Sequence, residues 1–240
     1  MKNPFRSHIL PYFTIGAGAL GLLLRLWLFS AVDEKGLLPT GHFADAMLYI
    51  LSGIVLLVLF LATRTLTPRR ISKQFFRFST ACGCLLGGLG LALNAAFQLS
   101  SSSVRLAWLA TAISMAGAVV MILMAILRFT RKRISYALPA FICLVMAIET
   151  IAQCQVWGAE PQVQKYFFPL LASIFLILTA FHRTESAVKQ SASRSLVFFS
   201  QGALYFCILS LNSRQWMLYL GMLFWAAVQM YPCIRFKKKV

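Results

Sequence analysis

The chain has 240 residues, 60% of them apolar and 12% charged, with a mean hydropathy of +0.77 and a formal net charge of +17. Charged residues make up about a quarter of an ordinary soluble domain, so this composition excludes a water-soluble core and points to an integral membrane protein. So large a positive charge would suggest nucleic acid on a soluble fold, but here the charges sit in short loops between apolar runs, so no nucleic-acid partner is expected.

A helix rising ~1.5 Å per residue needs roughly 20 apolar residues to cross a hydrocarbon layer about 30 Å thick. The first such run, 9–31, follows Lys2 and Arg6. It outlasts the roughly 7–15 residues of a cleavable signal, so it is expected to remain as a span. Arg25 shares a helical face with Gly18 and Gly21, small residues that let another helix approach, and this directs Arg25 inward. Gly16, Gly18 and Gly21 are also the place where an unwound span would be expected. In the second run, 43–63, Asp45 lies in the first turn, where the helix dipole favours a carboxylate, and it shares a face with Tyr49 and Ser52. Pro39 and Thr40 mark its start.

The third run, 76–99, aligns Gly83, Gly87, Gly90, Asn94 and Gln98 on one stripe, which is either a packing seam or the wall of a polar cavity. The fourth is 105–127. The fifth, 136–156, holds Glu149, the only carboxylate deep in a span, with Gln153 one turn further on the same face. The sixth is 163–182. The seventh, 195–211, is the shortest; Asn212, Ser213 and Arg214 turn it tightly into the eighth, 214–233, so this pair either crosses or forms a re-entrant hairpin. The expected fold is an all-α polytopic integral membrane bundle of eight transmembrane helices, a single transmembrane domain over 1–240.

Most of the 23 lysines and arginines fall in alternate loops: Lys2 and Arg6, then Arg64 to Arg77, Arg128 to Arg133, Arg183 to Arg194, and Arg235 to Lys239. By the positive-inside rule these loops and both termini are cytoplasmic. Setting orientation is the main role expected of them among the membrane lipids; the alternative is recognition of anionic lipid or of a cytoplasmic partner, with each Lys or Arg worth about 1 kcal/mol near an anionic surface. Six cysteines, Cys82, Cys84, Cys143, Cys154, Cys207 and Cys233, lie in spans rather than in loops, which argues against a disulfide framework. No nucleotide, hydrolase or metal motif is present, so neither a cofactor nor enzymatic activity is expected. Tyr12, Trp27, Trp108, Tyr136, Trp216 and Tyr219 lie near span ends as an interfacial belt.

Gly18 to Arg25 aligns with Gly87 to Asn94, and Leu10-Pro11 with Leu138-Pro139, which suggests hairpins repeated in parallel. Arg25 lies 14 residues past Pro11 and Glu149 lies 10 past Pro139, a depth difference of roughly 6 Å. The expected substrate site is therefore an outer-half cluster of Arg25, Asp45, Asn94, Gln98, Glu149 and Gln153, in which Arg25 either pairs with Glu149 or holds an anionic group. Such a site suits a transporter or permease-like protein for a small anionic or amphipathic solute. An accessory subunit that binds other membrane subunits through its small-residue seams is the alternative, and a lipid-modifying enzyme comes third. Around Arg25-Leu26-Trp27-Leu28-Phe29 and Asp33-Glu34-Lys35-Gly36-Leu37-Leu38 the chain resembles uncharacterised multi-pass bacterial membrane proteins, which implies a bacterial cytoplasmic membrane and no particular activity.

Overall fold

The computed structural model describes residues 9–31, 42–64, 77–101, 105–130, 135–157, 163–189 and 194–229. They form α1 (Ile9–Ser30), α2 (Phe43–Arg64), α3 (Arg77–Ser101), α4 (Arg105–Phe129), α5 (Ala137–Trp157), α6 (Phe167–Lys189), α7 (Arg194–Leu209) and α8 (Trp216–Gln229). Short 3-10 turns, Val163–Tyr166 and Ser210–Asn212, lead into α6 and out of α7. No strand occurs among the described residues. Seven helices are long and apolar enough to cross a bilayer, and α8 is a shorter apolar helix of 14 residues. This is a multi-pass membrane helix bundle.

Each helix packs on the next in the chain except α2 on α3, and the α7–α8 hairpin stands at the centre: α7 touches α1, α2, α6 and α8, while α8 touches α3, α6 and α7. Every residue from Ser200 to Leu209 is buried, so this part of α7 is enclosed on all sides. The outer helices present Leu20, Leu23, Ile54, Leu57, Val119, Leu123 and Ile151 outward. A continuous aliphatic surface of that kind is stable against lipid rather than water.

Glycine sets the closest approaches. A Cβ added to Gly221 of α8 would stand 2.6 Å from the Leu86 carbonyl and 2.7 Å from the Gly90 Cα, so α3 and α8 touch backbone to backbone. Gly83 and Gly87 face Val228 and Trp225 of the same helix, so the glycine stripe of α3 is a packing seam. Gly18 and Gly21 likewise receive Ile208 and Leu209 of α7. Their span is not unwound: α1 is continuous from Ile9 to Ser30, because both glycines serve close packing.

Other details also differ from the sequence reading. α6 runs to Lys189, past the expected end at 182, because Glu185 meets His182 at 2.8 Å and Lys189 at 2.5 Å, pairs at i,i+3 and i,i+4 that favour helix. Over the described residues α8, not α7, is the shortest of the long apolar helices. His42 caps α2, its Nδ1 accepting the Ala44 N–H at 3.2 Å; Pro39 and Thr40 lie outside the described residues. Also outside them are Lys2, Arg6, Lys73, Cys233 and the residues that close the chain after Gln229.

Candidate functional site

Polar side chains collect in two neighbouring nodes in the half of the bundle opposite the basic loops. The first is built on Glu149. Its carboxyl is 1% exposed, on the inward face of α5. Oε1 accepts hydrogen bonds from Asn94 Nδ2 at 3.0 Å, Gln98 Nε2 at 2.5 Å and Gln153 Nε2 at 3.5 Å. Oε2 accepts one from Ser114 Oγ at 2.7 Å. Donors thus come from α3, α4 and α5 itself, and all are neutral. The ion pairs described at Glu185 do not include Glu149.

The local sequence explains this assembly. Asn94 and Gln98 are one turn apart on α3, as Glu149 and Gln153 are on α5, so each helix presents two polar groups on one face. Ser114, fully buried on α4, supplies the third wall. A hydroxyl within an apolar helix gives no charge signal, and Ser114 enters the node because α4 packs on both α3 and α5.

The second node is built on Arg25, which is 2% exposed. Its guanidinium donates to the carbonyl of Leu209 through Nη1 and to the carbonyl of Lys165 through Nη2 at 3.0 Å. The Phe29 and Phe168 rings lie 5.5 and 5.6 Å from its central carbon. Leu209 ends α7, where carbonyls lack helical partners and the dipole is negative, so a cation there satisfies both needs. The expected Arg25–Glu149 pair is not formed. Depth along the helices placed them at similar levels, but α1 packs on α2 and α7, whereas α5 packs on α4 and α6.

Tyr219 joins the nodes. It is wholly buried near the start of α8, not in the interfacial belt as its position near a span end suggested. Its hydroxyl lies 3.4 Å from Gln153 Oε1, 3.2 Å from the Pro169 carbonyl and 3.3 Å from Ser173 Oγ. Both Arg25 and Glu149 are within electrostatic reach of it. A second buried tyrosine, Tyr205 of α7, meets Ser52 of α2 at 3.1 Å. Asp45 lies half-buried in the first turn of α2, a helix that packs on α1 and α7.

On the outer surface of α5 an open and mainly apolar groove is lined by Ala147, Thr150, Ile151, Cys154, Gln155 and Ile177. Thr150 and Gln155 are the polar side chains in it, so the groove suits an apolar body with a polar tip. No protein-family model matches the chain, and neither the curated proteins nor the solved structures include one significantly similar to it.

Proposed function

We propose that this protein carries a small amphipathic solute across the membrane, and that reversible protonation of Glu149 is coupled to its change of shape. One observation carries the reading: the Glu149 carboxyl is buried at span depth, and among the described residues the donors that touch it, from three helices, are neutral. Intramembrane carboxyls are costly, and proton relays in pumps and transporters are among the tasks that retain them.

The hydrogen bonds suit a group that gains and loses a proton. Amide donors occupy Oε1, while the partner of Oε2 is the Ser114 hydroxyl, which can turn from donor to acceptor. A proton can therefore arrive at Oε2 while every contact to Oε1 stays in place. Thr111 lies one turn before Ser114 on the buried face of α4 and extends a hydroxyl line toward the end opposite the basic loops. The open groove on the outer surface of α5, with Thr150 and Gln155 among apolar side chains, suits an amphipathic solute arriving from the lipid. With the basic loops facing the cytoplasm of a bacterial cell, the Glu149 node lies in the outer half of the bundle.

Infrared titration of the protein in lipid vesicles is the test. A protonated-carboxyl band that is absent from folded Glu149→Gln should appear as the pH is lowered and vanish as it is raised, and a pH dye inside the vesicles should report proton flux that the variant lacks. A Glu149 band that ignores bulk pH throughout the folded range would leave a purely structural carboxyl and end the proposal.

A further inference from the structure

A second polar layer lies nearer the basic end of the bundle. Arg183 projects from the buried face of α6, with Thr179 one turn before it and Ser186 one turn after, and all three are buried. Arg128, in the last turn of α4, and Arg183 both lie within electrostatic reach of Cys84, buried on α3. On α8, Trp225 packs beside Gly87, one turn along α3 from Cys84, and Gln229 follows Trp225 by one turn on the same face. Guanidinium groups from α4 and α6 and the indole of α8 thus lie toward the basic-end half of α3, with Ser186 and Gln229 one turn along their helices from Arg183 and Trp225.

Three buried atoms distinguish this layer from the Glu149 node. Ser186 Oγ, Trp225 Nε1 and Gln229 Oε1 have no hydrogen-bond partner among the described residues. More than about 90% of buried polar groups in folded proteins are paired, so three orphans at the basic end, where α6 carries Arg183, stand out. The charge around them is one-sided. Glu185 is the acidic residue that the described helices carry at this end, and its oxygens are engaged by His182 and Lys189. An indole N–H, a hydroxyl and an amide able to present its NH2 are neutral donors, and a guanidinium adds the forked, permanent charge that matches an oxyanion.

We propose that this layer is a binding site for a phosphate-class oxyanion entering from the basic end, held by Arg183 and Arg128 and oriented by Ser186, Trp225 and Gln229. The chemistry is shared by the headgroup of an anionic phospholipid and by a soluble phosphate. The site is independent of the Glu149 reading: it lies in the other half of the bundle and rests on different side chains.

Thermal unfolding of the purified protein in neutral detergent tests it, because a ligand that binds only the folded state raises the melting temperature saturably. One arm compares sodium phosphate with sodium chloride at equal ionic strength. The other compares short-chain phosphatidylglycerol with short-chain phosphatidylcholine. A rise with phosphate assigns a soluble oxyanion, and a rise with phosphatidylglycerol alone assigns the headgroup. In either case Arg183→Gln should abolish the rise, while Arg64→Gln, which removes an exposed guanidinium from α2, should leave it intact. No saturable rise in either arm, or a rise that survives Arg183→Gln, overturns the site. Should Arg183→Gln fail to fold, Arg183→Lys and Ser186→Ala replace it. Each should weaken the apparent affinity about tenfold by losing the fork or one hydrogen bond, and unchanged affinity in both overturns the site.

Discussion

The Tyr219 hydroxyl stands 3.4 Å from Gln153 Oε1, and the amide nitrogen of the same Gln153 reaches back to Glu149 at 3.5 Å, so one glutamine ties the central helix α8 to the buried carboxyl of α5. The same hydroxyl touches Ser173 and the Pro169 carbonyl, which holds the start of α6 to the link. Its neighbours offer more contacts than one proton can serve, so the set is shared rather than a stack of independent bonds. Tyr219→Phe should destabilise the bundle by about 0.6–1.7 kcal/mol, the range of interhelical hydrogen bonds in membranes. Reversible unfolding in mixed micelles would measure it. A double-mutant cycle with Gln153→Ala should be non-additive, and strict additivity would show that the two side chains do not communicate.

Replacements at Glu149 should separate shape from charge. Glu149→Gln keeps an acceptor for the amides, and its new NH2 can face the Ser114 hydroxyl, which accepts as readily as it donates. That variant should fold with a melting temperature close to the parent's. Glu149→Leu has similar bulk but leaves Asn94, Gln98 and Ser114 without this acceptor, at about 1–3 kcal/mol for each orphaned donor. Its yield of monodisperse protein in detergent should collapse. Equal yields for the two variants would mean that the donors find other partners and that the node is not a single unit.

Arg25 should behave as a capping residue. Its two carbonyl partners close the end of α7 and the turn before α6, so Arg25→Leu removes charge-assisted bonds of about 1.5–3 kcal/mol each and exposes orphan carbonyls. Arg25→Lys can reach one carbonyl but not both with the same planar fork, and should retain part of the stability. Protease accessibility of the Leu209–Ser213 segment should rise in both variants, more in the leucine one. An infrared response of Glu149 to pH that persists in folded Arg25→Lys would separate the capping role from the proton site.

Much of this arrangement is legible along the chain, because a span 20 residues long and the faces on it follow from helical periodicity alone. Asn94 and Gln98 lie on one stripe, and so do Glu149 and Gln153, so their inward aim could be read from spacing. What spacing omits is which helices are neighbours. Arg25 and Glu149 lie within roughly 6 Å of each other in depth, yet the end of α7 and the turn before α6 gave Arg25 backbone carbonyls as partners, and a main-chain acceptor leaves no mark in a sequence. Ser114 and Tyr219 were hidden for related reasons: a serine is common in apolar helices, and a tyrosine near a span end looks interfacial until its helix proves to be central.

The glycines offer the sharpest contrast between sites of the same residue type. Gly221 presses against the Gly90 Cα and the Leu86 carbonyl, and neither backbone can yield as a side chain would. Gly221→Val should therefore force α3 and α8 apart and open the interface that supports Trp225 and Met222, an overpacking cost of about 1–3 kcal/mol or more. Gly53 on α2 has nothing within 4 Å of the position a Cβ would take. Gly53→Ala should be neutral or slightly stabilising, because alanine restricts the unfolded chain and favours helix. Melting temperatures of the two variants in one detergent decide the matter: a large loss at Gly53, or none at Gly221, would show that α2 rather than α8 makes the close contact that organises the bundle.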